Sequence, residues 1–169
     1  MTQGPTLFPA PDHDHNRCAA DGMGHAETVC ERRGQRLTPM RRNVLNALLA
    51  NHRPLGAYEI IDILAREMSR PAPITIYRAL DFLMENGLVH RIASRNAYIA
   101  CAHDHARDAQ VAFLICDGCG TVGEMPIASI AHLLTDAMRQ AGFTPTLSVV
   151  EISGLCARCQ SEPRPPQED

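Results

Sequence analysis

The sequence predicts an α+β chain: an N-terminal winged helix-turn-helix domain followed by a small C-terminal α/β domain closed by four cysteines. Three observations carry this. Apolar residues recur at helical spacing through residues 38–86 and then give way to two short runs that read as strands. Arginine is in excess in that part of the chain. Two C-x-x-C pairs, Cys116/Cys119 and Cys156/Cys159, stand in the last third.

The elements follow in order. Residues 1–22, rich in Pro, Asp, His and Gly, predict a disordered tail. A first short helix is expected over 24–34. Thr38-Pro39 is a helix start, with Thr38 at the N-cap and Pro39 at the first helical position. Val44, Leu45, Leu48 and Leu49 continue that helix to about Asn51. A third helix is predicted over 57–68, with Ile60, Ile61, Ile63 and Leu64 inward. A fourth spans 73–86, with Ile76, Leu80 and Leu83 as its buried stripe and Gly87 ending it. Strands are expected over 88–93 and 97–101, turning at Ser94-Arg95-Asn96.

That layout fills residues 23–101 with a winged helix, whose fourth helix would enter a major groove. Arg91 and Arg95 would form the wing. A polar linker, 102–110, acts as a hinge. Strands at 111–116, 121–125 and 146–152, with a helix over 126–140, make a second domain of residues 111–160. Residues 161–169 are expected to be a second disordered tail. A domain of about 50 residues has too little core to stand without a metal or a partner subunit.

Charge separates the two halves. Residues 31–95 hold eleven arginines and six acids, a balance of +5 within a chain whose formal net charge is −3. Only this half is built to meet a polyanion. The chain has no lysine; base-composition bias explains that as well as any chemistry. Arg41 and Arg42, at the start of the second helix, are candidate phosphate contacts. No apolar run approaches the roughly 20 residues that span a bilayer, and the first residues do not read as a secretory leader. A cytosolic protein is expected.

The cysteine pairs are the strongest chemical signal. Four thiolates from two C-x-x-C turns close a tetrahedral zinc shell. Such a shell has no open position for substrate, so the site would be structural and would tie the last strand to the other two. The competing readings are a pair of redox dithiols or unpaired core cysteines. His90, Cys101, His103, His105 and Glu124 form a softer constellation near the junction of the halves. Mixed N, S and O donors suit zinc and tolerate iron or manganese, whereas histidines in a polar linker are often only solvated. His13, His15 and Cys18 lie in the tail. Cys30 reads as a packing residue, His132 as surface or packing, and His25 and His52 as solvated.

The segments RLTPMRRNVLNALL, GAYEIIDIL, PITIYRALDFLMENGLVHRI, NAYIAC, FLICDGCGTVGE and GLCARC, in that order and spacing, resemble the ferric uptake regulator family and its zinc uptake regulator branch. The resemblance covers about residues 25–160. It implies a homodimer that represses zinc-uptake genes by binding a double-stranded operator, with two Zn2+ per chain. Cys116, Cys119, Cys156 and Cys159 would hold the structural ion. His90, Cys101 and Glu124 would belong to the regulatory site. Tyr58 and Arg78 would read bases, with Thr75 and Tyr77 at phosphates. In some relatives the remaining regulatory histidine lies eight residues after the cysteine of NAYIAC, where this chain has Ala109. His105 or His103 would then take the role.

An iron- or peroxide-responsive regulator of the same family is the alternative within the class. Outside it stand a zinc-stabilised adaptor and a metalloenzyme. The H-x-E…P-C-x-x-C deaminase signature is absent, and neither an enzymatic activity nor a small-molecule substrate is expected.

Overall fold

The computed structural model describes residues 7–8, 14–50, 52–101, 111–145 and 148–161. They form two compact units. One is helical and spans residues 10–105; the other is a sheet unit built from residues 106–169 with the first nine.

The helical unit begins with α1, His15–Arg32. The sequence reading started this helix near residue 24 and placed 1–22 in a tail, so the helix gains more than two turns. Two features account for it. The Asp14 carboxylate accepts from the Asn16 and Arg17 N–H groups at 3.0 and 3.1 Å, an N-cap beyond the apolar pattern. Gly22, a poor helix former, sits where α1 meets α2: a Cβ there would come within 2.6 Å of Leu49 Cδ2. Close packing therefore favours glycine over a better helix former.

Helix α2, Pro39–Leu49, starts as expected at Thr38, whose backbone is extended but whose side chain makes no capping bond. Helix α3, Ala57–Leu64, is shorter than expected. Its entry is secured by Glu59, whose carboxylate accepts from the Gly56 N–H at 2.6 Å. Helix α4 runs Pro73–Glu85. Strands β1, Val89–Ile92, and β2, Ala97–Ala100, pair antiparallel. A 3-10 turn at Ala93–Arg95 joins them, with Asn96 in the left-handed region at φ 46°. Leu55 adds a single bridge to Tyr98.

The core is the convergence of these stripes. Leu45, Leu48, Ile60, Ile61, Ile76, Leu80 and Leu83 are each at most 2% exposed. Arg41 lies 3.4 Å above the Phe82 ring. Asn86, buried at the end of α4, accepts from Arg33 at 2.8 Å and donates to the Phe82 carbonyl at 2.8 Å. This polar clamp joins the ends of α1 and α4.

In the sheet unit, β3 (Val111–Cys116) is central. It pairs antiparallel with β4 (Val122–Pro126) and parallel with β5 (Val150–Gly154). Helix α5, Ala128–Gln140, follows β4 and ends at Gly142, φ 68°. A short α6, Ala157–Ser161, had no counterpart in the sequence reading. The expected tail beyond it, 162–169, and the hinge, 102–110, lie outside the described residues. Among the described residues no helix is long and apolar enough to cross a membrane.

Candidate metal centre and nucleic-acid interface

The four cysteines come from two tight turns at the same end of the sheet. Cys116 ends β3, and its N–H donates to the Thr121 carbonyl at 3.0 Å while its own carbonyl accepts from Gly120 at 2.8 Å. Gly120 has φ 73°, which few side chains tolerate. Cys156 follows β5, which the parallel pairing brings beside β3, and Asp117 N–H donates to Gly154 O at 2.8 Å. Gly118 gives the second turn its room: a Cβ there would stand 3.0 Å from both Cβ and Sγ of Cys159.

All four sulfurs lie within 4.8 Å of one another, and Cys119 and Cys156 are 3.9 Å apart. A tetrahedron of sulfurs at about 2.3 Å from a zinc ion has edges of about 3.8 Å. Cys116, Cys119 and Cys156 are buried and Cys159 is half-exposed. Further donors face the sulfurs. The Cys156 N–H donates to Cys116 Sγ at 3.3 Å, and Cys119 Sγ is hydrogen-bonded to the Thr121 hydroxyl at 3.3 Å. The Arg158 guanidinium also faces the Cys119 sulfur.

The protonation pattern asks for a cation. Burial pushes the Cys119 thiol up, but the Thr121 hydroxyl and N–H and the adjoining cysteines outweigh it and hold the thiol at about 6. Cys116 is likewise lowered: burial opposes ionisation, and the Cys156 and Cys119 N–H groups overcome it. Cys159 is pushed up to about 12 by desolvation and then by its three sulfur neighbours. The cluster thus favours ionisation at Cys119 and Cys116 and opposes it at Cys159, so full ionisation of the four thiols is resisted from within. A divalent ion would relieve that opposition, and the donor set and geometry fit zinc.

The residues of the softer constellation divide between the units. His90 on β1 is opposite Ile99, and Cys101 lies two residues beyond Ile99, so both side chains fall on one face of the hairpin. Their ligand atoms lie within 4.8 Å of each other. Glu124 is on β4, opposite Phe113, and is buried. His103 and His105 lie outside the described residues, as does His13.

The residues implied for DNA fall on the outer surface of the helical unit. In α4, Thr75, Tyr77 and Arg78 are exposed or nearly so, while Ile76, Ala79 and Leu80 turn inward. Tyr58 on α3 is 63% exposed. At the hairpin, Arg91 donates to the Asn96 side chain at 3.0 Å. Arg41 and Arg42 have internal partners that spacing alone did not reveal. Arg41 stacks on Phe82 and donates to Arg36 O at 2.6 Å; Arg42 pairs with Glu27 at 2.5 Å. Sequence reasoning also missed Gly118, Thr121 and Arg158, which shape the sulfur cluster. The glycine between two metal-spaced cysteines was the one available signal.

Helices, hairpin and sulfur-closed sheet together define a metal-binding chain of the winged-helix class. The model of the ferric uptake regulator family matches residues 32–153, and the chain belongs to that family. It is 36% identical over 137 residues to the zinc uptake regulation protein of Escherichia coli (strain K12), covering 81% of this chain and 80% of that protein. Its fold is similar to a zinc uptake regulator complexed with zinc and DNA, at TM-score 0.80 and 34% identity over 85% of this chain and 95% of the other. It is also similar to holo XcZur, at TM-score 0.74 and 40% identity over 83% and 98%.

Proposed function

We propose that this chain is a zinc-responsive transcriptional repressor that binds operator DNA as a homodimer and controls zinc uptake genes. The observation that carries the reading is the likeness to a zinc uptake regulator complexed with zinc and DNA, at 34% identity over most of both chains. The exposed Tyr58, Tyr77 and Arg78, within the basic stretch 31–95, support it. Arg78 has the reach and chemistry for guanine O6 and N7. Thr75 and the half-buried Arg41 and Arg42 suit phosphates, provided the two arginines share their internal partners.

Two Zn2+ ions per chain are proposed. The first is structural, on Cys116, Cys119, Cys156 and Cys159. The second is regulatory, on His90 and Cys101, with Glu124 and one of His103 or His105 as the further ligands. The shared face of His90 and Cys101 supports the second site, and a soft sulfur donor favours zinc over iron. In both places bound zinc would fix the ligands that hold it. Dimerisation is supported by α5, whose Ile130, Leu133 and Leu134 are 51%, 71% and 39% exposed at i, i+3 and i+4. No catalytic activity and no residence other than the cytoplasm are proposed.

Operator titration with and without added zinc tests the reading, with Cys101→Ser beside the parent. Zinc and operator should raise each other's affinity by about 5–150-fold. Cys101→Ser should keep one ion per chain, stay folded and lose the response. Equal operator affinity in both conditions contradicts the proposal.

A further inference from the structure

Leu7 and Phe8 are packed against the four-cysteine unit. Phe8 lies against Cys116, Cys119 and Cys156. It also lines a groove with Leu114, Ile115, Ile152 and Leu155. Its neighbour Leu7 passes over β4 so closely that a Cβ on Gly123 would stand 2.7 Å from the Leu7 carbonyl oxygen. The register makes these facts one arrangement. Gly123 and Ile152 are the two cross-strand partners of Leu114. Directly paired residues share a face of a sheet, so a bare glycine, a leucine and an isoleucine form a row on that face. The Leu7 backbone crosses the row where it has no side chain, and Phe8 forms one wall of the groove beside the cysteines. Ile152 and Leu155, still 49% and 51% exposed, are apolar surface that this segment partly covers.

We propose that Leu7–Phe8 is a built-in cover of the four-cysteine centre, seated in the Leu114–Ile152 groove, that slows loss of the ion and attack on its thiolates. Both processes need a reagent or water to reach the sulfurs, and reactivity of a thiolate follows access as much as ionisation. Opening the cover costs the burial of one aromatic side chain, a factor on the order of tenfold or more in the open population. The inference rests on the four-cysteine zinc reading.

The test uses the full-length zinc-loaded chain in a Cys101→Ser background, so that only the four-cysteine ion is counted. Zinc transfer to excess chromogenic chelator is timed for the parent, Phe8→Ala, Phe8→Leu and Gly123→Val. Transfer should speed up about tenfold in Phe8→Ala, recover much of the parent rate in Phe8→Leu, and speed up in Gly123→Val by a similar factor. Combining Phe8→Ala with Gly123→Val should add little, because both break one contact. Parent-like transfer in Phe8→Ala overturns the proposal, as does acceleration confined to Gly123→Val, which would reflect a damaged strand. A shift to monomer in Phe8→Ala with unchanged transfer also overturns it, by giving the segment to a second copy. If the purified background variant holds no zinc on these cysteines, the metal reading fails. Iodoacetamide labelling of Cys116 and Cys156 then decides the cover alone: faster labelling in Phe8→Ala supports it, and equal labelling overturns it.

Discussion

The two units solve the same problem with different means. The helical unit closes on itself: four helices and a hairpin converge on a row of fully buried leucines and isoleucines. The sheet unit has three strands and one main helix, and the buried cluster at its cysteine end consists of Cys116, Cys119 and Cys156. The sheet unit also buries Ala112, Phe113, Ile115, Val122, Ile127 and Ala131, but it adds sulfurs whose mutual repulsion a cation would relieve. On the proposed function, zinc would be part of the second unit's fold and only a signal for the first.

The largest effect should come from Cys116→Ser. It would remove a proposed ligand of an ion that contributes about 10–16 kcal/mol in comparable small domains near neutral pH. Zinc content should fall by one ion per chain. Protease-resistant structure should vanish from residues 111–161 and persist in 39–100. Loss of both regions together would break the comparison.

Leu83→Ala is the mirror experiment. Leu83 is 0% exposed, and truncation of such a leucine costs about 2–5 kcal/mol. Urea unfolding should show that loss in the helical transition alone, with zinc content unchanged. Arg78→Ala sharpens the contrast from the surface. It should cost operator binding about 1–3 kcal/mol by filter binding or anisotropy, leave random DNA much less affected, and alter the stability of neither unit.

The smallest effect is on pH. Burial raises the Cys30 thiol, against the nearby Arg41 and Arg33 charges. Burial also raises Tyr98, opposed by Arg91. Both groups are acids kept neutral in the folded unit. Their contribution is therefore complete below the unfolded values of 9.0 and 10.0 and falls as pH rises past them. Urea midpoints of the helical unit should decline from about pH 9 upward, and Cys30→Ala should flatten the first part of that decline.

Much of this was legible in the sequence, and the exceptions have a common cause. The cysteine spacing announced the sulfur cluster, and Leu45, Leu48, Leu80 and Leu83 announced their helices, because local periodicity carries that information. The start of α1 at His15 was hidden by Gly22, whose absent side chain answers to Leu49 on another helix. Gly123 answers in the same way to Leu7, more than a hundred residues earlier. The partners of Arg41 and Arg42, Phe82 and Glu27, are likewise tertiary neighbours. A residue whose reason lies in a distant element leaves no periodic trace.

The most direct test of zinc as a structural element of one unit is amide hydrogen exchange, resolved by peptide, before and after complete chelation. Amides in 111–116, 122–126 and 150–154 should lose their protection when the four-cysteine ion is removed, while those in 39–49, 73–85 and 89–100 keep theirs. Retained protection in the three strands, or its simultaneous loss in α2 and α4, would contradict the account.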